Sequence, residues 1–459
     1  MAEPRVIVVG AGPAGVRAAE ALAAAGLRPV VIDEGERDGG QIYRRQPEGF
    51  RRSYAALYGS ESAKAESLHR AFDALRPAID YRPETLAWGL WERRLHIASE
   101  ARTEALAFDA LIIASGATDR LMPAKGWNLA GTYSLGGAQI ALKAQACAIG
   151  RRVVFMGTGP LLYLVAAQYL KAGAGVAAVL DTSPFRLRVR ALPMLMARPG
   201  VLTNGLALTW ALRRGGVEIR TGIEPLEIEG ESGSGVTGVR FRTKGEARTI
   251  ACDAVALGYH VRPETQLADL AGCAFRYEAE TRQFFPVIDA DGRSSVPGIY
   301  LAGDGVLPLG ADAAEFAGRL AALTLLADLG RPEPGGERER LRRSLRAMER
   351  FRRGLVASFP WPGRFAAALS DDTVLCRCEG VTVGALRAAV TEMGGTEVNR
   401  AKAFSRVGMG RCQGRYCGQA AAEVIAAATG LPLEAVGRLR GQAPVKPLPI
   451  AAAPVEEVA

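Results

Sequence analysis

Four of the seven cysteines are grouped as Cys376-Arg-Cys378 and Cys412-Gln-Gly-Arg-Tyr-Cys417, with 33 residues between the pairs. Four thiolates can hold a [2Fe–2S] cluster, two on each iron. A C-x-C pair on a turn aims both sulfurs the same way. Gly408, Gly410, Gly414 and Gly418 surround the second pair and let backbone N–H groups approach the cluster without side-chain interference. A structural Cys₄ zinc site is the competing reading, but it usually puts two to four residues inside each pair, and the one-residue gap argues against it. Cys147, Cys252 and Cys273 are scattered among small or apolar residues and read as buried, inert thiols.

The second chemistry-bearing stretch is N-terminal. A β-branched run, Arg5 to Val9, leads into Gly10-Ala-Gly12-Pro13-Ala14-Gly15, an Ala-rich helical stretch stopping at Gly26, and a strand Val30-Val31-Ile32 ending in Asp33-Glu34. This order is a dinucleotide-binding unit. Gly10 allows the sharp turn, Gly12 clears the approach of a pyrophosphate, and Gly15 lets helix and strand pack closely. The helix N-terminus offers free N–H groups to the diphosphate, and Asp33 can accept from ribose hydroxyls. The motif alone does not choose between NAD and FAD. A weaker copy follows: strand Arg152–Met156, then Gly157-Thr-Gly159-Pro-Leu-Leu162, a helix, and a strand ending at Asp181. Leu162 stands where the third glycine belongs and should rearrange the turn.

The elements that must position these groups fit an α/β chain. Its 459 residues are 49% apolar and 23% charged, with 54 glycines and 7% aromatics; about three folding units are expected. No uncharged apolar run reaches the ~18 residues of a membrane span, and no signal peptide is visible. The expectation is a cytoplasmic protein, with peripheral association at the inner face of the membrane left open. Eight arginines lie between Arg338 and Arg353. They read first as a solvated helix, because Leu341, Leu345 and Met348 share one face, and second as a docking surface for an acidic partner or a membrane. Without interleaved aromatics or a groove-reading motif, nucleic-acid binding is not indicated.

Two later segments carry a resemblance. Asp109 to Ser115 is a strand running into Ser115-Gly116, and Gly298-Ile-Tyr-Leu-Ala-Gly303-Asp304 is a strand ending in a Gly-Asp pair. With the N-terminal unit they resemble the two-dinucleotide-domain flavoproteins related to glutathione and thioredoxin reductases. That resemblance implies FAD in the first domain, with Asp304 on the ribityl chain and Gly39-Gly40-Gln41 wrapping the flavin. It makes the second copy an inserted domain that in the family usually binds NAD(P)H, while Leu162 and the lack of a clear basic cluster directly after the next strand point to a retained fold without a nicotinamide role. The redox-active cysteine pair of the dithiol reductases is missing here. The cysteine segment resembles the bacterioferritin-associated-ferredoxin-like [2Fe–2S] domain, although its second pair has four intervening residues instead of two.

The order of parts, with the strings Gly39–Tyr43, Gly258–Leu267 and Gly408–Gly418, resembles the α (A) subunits of bacterial dye-linked amino-acid and opine dehydrogenases. This family includes octopine and nopaline oxidases, D-hydroxyproline and L-proline dehydrogenases, and the related hydrogen cyanide synthase subunit. The implied architecture is a glutathione-reductase-like α/β flavoprotein. Residues 1–125 and 250–330 form the FAD domain, 126–249 the inserted domain, 331–365 an arginine-rich linker helix, 366–440 the [2Fe–2S] domain and 441–459 a disordered tail. The resemblance also implies a substrate-oxidising β subunit with its own FAD, a small ferredoxin-like subunit in some complexes, FMN at a subunit interface, and a quinone or carrier protein as acceptor. A flavin accepts electrons in pairs and can release them singly to an iron–sulfur centre. No residue reads as a substrate acid or base; His260 reads as a packing residue, and His69 and His96 lie in unremarkable polar contexts. Two other readings remain: a self-sufficient NAD(P)H-dependent reductase, and a non-enzymatic redox-sensing module.

Overall fold

A computed structural model describes residues 3–100, 102–332 and 335–449, and the backbone of residues 453 and 454. In chain order the elements that begin the first sheet, with its leading helix, are Val6–Val9 (β1), Pro13–Ala24 (α1), Val30–Ile32 (β2), Asp80–Arg82 (β3) and Ala110–Ile113 (β4). The chain then enters a second unit through Thr132–Ser134 (β5), Leu135–Ala144 (α2), Val153–Thr158 (β6), Pro160–Lys171 (α3) and Val176–Asp181 (β7). Phe185–Leu195 (α4), Pro199–Arg214 (α5), Glu218–Thr221 (β8) and Ala254–Tyr259 (β9) complete it. The strand Ile299–Leu301 (β10) and helices Ala311–Asp328 (α6) and Glu337–Ser358 (α7) follow. Val383–Thr391 (α8), Val398–Ser405 (α9) and Gly418–Thr429 (α10) belong to the C-terminal part.

Among the described residues there are two five-stranded parallel sheets, ordered β10-β4-β1-β2-β3 and β8-β7-β6-β9-β5. Every residue of β1, β2 and β4 is buried. Parallel strands covered on both faces read as unbroken apolar runs, as VIVV and ALII do. In the first sheet α1 lies against α6. That crossing depends on Gly318, where a Cβ would sit 1.9 Å from the Ala14 carbonyl oxygen. Gly15 is equally constrained, since its Cβ would stand 1.7 Å from Gly10 O.

The boundary expected at residue 250 is wrong. β9 pairs with β6 from Val153↔Ala254 to Thr158↔Tyr259 in the second sheet, because its fully buried run AVALGY fits only a central strand. The return to the first unit comes after Tyr259, where Val261–Pro263 pairs with Ala117–Asp119. Leu162 is fully buried among Leu135, Phe155 and Tyr169; the second turn thus accommodates a leucine where the first excludes even a methyl group.

The arginine-rich helix forms as expected, and α7 packs on α4 and α6 through buried Leu341, Met348 and Phe351. Several of its arginines are spent within the chain, Arg342 on Asp291 and Arg352 on Glu278. The C-terminal part is less separate than its sequence suggests. Leu375, Leu386 and Val424 share one buried cluster with Trp127, Tyr259 and Trp361 of the preceding units. The Trp127 indole N–H donates to Val374 O at 2.5 Å.

The expected disordered tail is contradicted over its described residues. Val445 is buried in the core beneath the first sheet, donates to Trp88 O at 3.0 Å and accepts from Arg415 at 2.6 Å. Ala453–Pro454 pairs with Arg102–Thr103. A Pro/Ala-rich strap can be held by a few backbone bonds and one apolar anchor, and composition does not reveal that. The rest of that segment, 450–452 and 455–459, lies outside the described residues. Cys147 is exposed, contrary to expectation, in the loop following α2; Cys252 and Cys273 are buried.

Candidate functional site

The N-terminal candidates converge on one cradle. A Cβ on Gly40 would lie 2.8 Å from Gly12 Cα, and one on Gly303 would lie 2.8 Å from Ala14 Cβ. A Cβ on Gly305 would stand 2.7 Å from Ser115 Oγ and 3.2 Å from Gly116 N. Gly10 (φ +104), Gly40 (φ +60) and Gly303 (φ +70) hold left-handed backbone that favours glycine. Pro13 opens α1, so the helix loses no needed N–H there. By contrast, a Cβ on Gly12 would meet nothing nearer than Gly40 Cα at 3.6 Å. Gly12 therefore leaves free space at the mouth of α1, as a cradle for a diphosphate requires.

The two candidate aspartates are placed differently. Asp33 accepts from Ala11 N at 2.6 Å and Gly35 N at 2.7 Å, one bond on each oxygen. Burial raises its pKa, and those two N–H groups oppose the shift. Its unused lone pairs remain for a ribose. Asp304 takes Leu309 N and Gly310 N on one oxygen, Oδ1; burial raises its pKa too. Glu34 and Gln41 are less central than their positions suggested. Glu34 is ion-paired with Lys446 of the strap, and the exposed Gln41 accepts from Arg44 at 2.7 Å.

The four cysteines come together from two loops. Cys376 and Cys417 are hydrogen-bonded neighbours, as are Cys412 and Cys417, and Cys378 and Cys412. The contact with Cys417 lowers the Cys376 pKa to about 6, helped by the N–H groups of Gly408 and Glu379. Cys412 falls to about 5, again first through Cys417, with Tyr416 and Gly414 N–H groups contributing. Cys417 is pushed up because its one S–H faces both of these sulfurs and it is buried. Gly408 and Gly414 thus bring backbone donors to the sulfurs, as the glycine pattern implied. The structure adds a second reason for these glycines, because Leu439 Cδ1 would lie 2.6, 2.5 and 3.0 Å from a Cβ on Gly408, Gly414 and Gly418. No three His, Cys, Asp or Glu side chains among the described residues form a single metal-ion site. A chain of neighbouring sulfurs suits two irons with two thiolates each better than one tetrahedral zinc.

One loop joins cradle and cysteines. Ser115 Oγ donates to Glu264 O at 2.6 Å, and Glu264 N donates to Gly116 O at 2.9 Å. The Glu264 carboxylate then takes Arg415 Nε at 2.6 Å and Arg415 Nη2 at 3.3 Å. Arg262 Nη1 donates to Arg415 O at 3.0 Å, and Gln266 Nε2 to Gln413 O at 2.7 Å. Burial alone would raise the Glu264 pKa, but Arg415 and Arg262 outweigh it and hold it below its ordinary value. Arg415 lies between Cys412 and Cys417. Both partners fall within strings quoted above, yet only the fold shows that they meet.

The second nucleotide site is filled by the chain itself. The His260 ring lies 3.1 Å from where a Gly159 Cβ would be, over the glycine a pyrophosphate would approach. Its Nε2 is bonded to Phe359 O at 2.5 Å, and burial lowers its pKa to about 4, so the neutral ring donates. Asp181, which occupies the place of Asp33 in this copy, is fully buried. It is committed to Thr158, Tyr163, Arg188 and Ser183 N. Arg188 also packs on the Tyr163 and Phe359 rings. These residues do not fit a nicotinamide dinucleotide. His69 is likewise structural, bonded to Tyr43 O and Tyr54 OH.

Fold and site together define a flavin-dependent oxidoreductase that carries FAD and a [2Fe–2S] cluster. Residues 4–321 match the pyridine nucleotide-disulphide oxidoreductase model, and residues 374–427 the BFD-like [2Fe-2S] binding domain. The A-type polypeptide of opine oxidase from Rhizobium meliloti is 39% identical over 97% of this chain and 86% of that protein. Hydrogen cyanide synthase subunit HcnB of Pseudomonas aeruginosa is 32% identical over 98% of both. Among solved structures, L-proline dehydrogenase from P. horikoshii superposes with a TM-score of 0.69 at 19% identity, covering 97% of this chain and 78% of that one. The chain belongs to the pyridine nucleotide-disulphide oxidoreductase family, in the branch that holds the A-type opine oxidase and HcnB subunits.

Proposed function

We propose that this chain is the electron-transferring flavin and iron–sulfur subunit of a heteromeric amino-acid or opine dehydrogenase. Electrons come from a β subunit that oxidises the substrate with its own FAD, and leave to a quinone or carrier protein on the cytoplasmic side. An interfacial FMN and a small ferredoxin-like subunit complete the complex in this reading. Gly10, Gly12, Pro13, Ala14, Gly15, Asp33, Gly40, Ser115, Gly116, Gly303 and Asp304 would hold the FAD, and Cys376, Cys378, Cys412 and Cys417 the cluster. FAD supplies two-electron acceptance and one-electron release; the cluster carries single electrons.

The observation that supports the reading is the Ser115–Glu264–Arg415 bridge, which fixes the cluster loop against the flavin cradle. The filled second site weighs against a self-sufficient NAD(P)H reductase. The test is to purify the chain anaerobically, alone and with its co-purifying partner. Alone it should be coloured, fail to reduce dyes with opines or amino acids, and keep its flavin oxidised when NADH is added. Rapid bleaching by NADH, or substrate-driven dye reduction by the chain alone, would overturn the proposal.

A further inference from the structure

Seven of the fifteen large apolar side chains exposed among the described residues lie in one stretch of α4 and α5. On α4 and its cap, Phe185, Val189, Leu192 and Met196 follow i, i+4, i+7, i+11 spacing and form a single stripe, separate from the buried Ala191 and Leu195 that face α7. On α5, Val201, Leu206 and Trp210 are exposed, Leu206 at 62% and Trp210 at 61%. That helix has sixteen residues, and Leu212 is its one buried residue. α5 packs on α3 through its other side, so the apolar face that it and α4 leave uncovered calls for an outside partner.

Charge identifies the partner. Residues 185–214 contain six arginines and no aspartate or glutamate. Arg188 and Arg198 are paired inward with Asp181 and Asp312. Arg186, Arg190, Arg213 and Arg214 have no acidic partner among the described residues, and Arg214 covers the Trp210 ring at 5.1 Å. Protein–protein interfaces are also enriched in Trp, Phe, Met and Arg, so a protein face is the competing occupant. The complete lack of Asp and Glu across residues 185–214, with basic flanks of one sign beside exposed Trp, Phe and Leu, favours helices that lie in the headgroup layer of an anionic bilayer. Neither helix spans: α5 is about 24 Å long at 1.5 Å per residue, and no described helix is long and apolar enough to cross a membrane.

We infer that α4 and α5 form a monotopic docking surface for an anionic lipid membrane. The α4 stripe and the Leu206–Trp210 pair of α5, which share one face at i, i+4 spacing, insert at the acyl boundary, and the four unpaired arginines contact lipid phosphates. This goes beyond the electron-transfer reading and does not depend on it, because binding is measured without substrate or redox chemistry.

The experiment is sedimentation of the full, cofactor-loaded chain with phosphatidylcholine vesicles, with and without phosphatidylglycerol. The wild type should pellet with anionic vesicles and be released by salt. Leu206→Glu combined with Trp210→Glu should lower partitioning about tenfold or more, with flavin absorbance and circular dichroism unchanged because both residues are exposed. Arg186→Glu with Arg190→Glu should lower it roughly 25-fold or more, from about fivefold per arginine lost. Three outcomes overturn the inference: no pelleting with anionic vesicles, equal pelleting with neutral ones, or undiminished pelleting of the variants. So does a fourth, in which light scattering shows the apolar-face variant breaking up an oligomer or losing a co-purifying subunit, because the face is then a protein interface.

Discussion

Arg415→Met tests the bridge between the two cofactor sites. The wild-type side chain is 9% exposed and Glu264 is 17% exposed. The guanidinium makes a two-pronged bond to that carboxylate and gives Nη1 to Val445 O at 2.6 Å. Removing one partner of a buried ion pair costs about 3–5 kcal/mol, because the other charge is left uncompensated. Arg262 still faces Glu264 and also lowers its pKa, so the lower end, about 3 kcal/mol, is expected. Denaturant unfolding of the full chain, followed by circular dichroism and by visible absorbance, measures the loss. Adding Glu264→Gln should recover part of it, with a coupling energy of about 1–3 kcal/mol. Because the Glu264 pKa is depressed on folding, its contribution is complete above the ordinary carboxylate value and fades as pH falls through the folded value. That acid-side slope should be shallower in the variant. A loss under about 1 kcal/mol, typical of exposed pairs, or strictly additive single effects, would refute the claim that this pair fixes the cluster loop to the cradle.

Three further outcomes are expected. Gly12→Val should fold, since the nearest atom to a Cβ there is 3.6 Å away, yet lose bound flavin by flavin absorbance; Gly15→Ala should instead lose soluble protein, with its Cβ 1.7 Å from Gly10 O. His260, held at about 4 by burial and by Arg120 and Arg352, stays neutral while the unfolded chain protonates near 6.5. Stability should therefore fall by up to about 3 kcal/mol between pH 6.5 and 4, and His260→Gln, which can still donate to Phe359 O, should flatten that fall in melts across this range. Lys143 is lowered to about 8 by burial and then by Arg44. The unfolded chain binds more protons between pH 8 and 10.5, so the full penalty, about 3 kcal/mol, applies below pH 8; Lys143→Met should raise the melting temperature at pH 7 and gain less at pH 10.

The parts of this protein that depend on short spans of chain were legible in the sequence. The turn Gly10–Gly15 needs glycine for reasons contained within about six residues, and the Cys-x-Cys spacing singled out its two cysteines, although which sulfurs meet was set by the fold, the buried Cys376 against Cys417 and the exposed Cys378 against Cys412. The apolar runs of β1 and β4 announced buried parallel strands, and the spacing of Leu341 and Met348 announced the helix that carries them. Tertiary structure decided everything that joins distant segments. Glu264 and Arg415 are 151 positions apart and become partners only because the chain leaves the second sheet after Tyr259 and pairs again with Ala117–Asp119. Glu34 meets Lys446 across 412 positions, which turns an expected loose end into a strap. Phe359 and His260 close a nucleotide site whose glycines alone suggested an opening. The exposed stripe of α4 looks, by period, like any core-facing helix, because periodicity reports which residues share a face; which face is buried depends on the neighbours that pack against it.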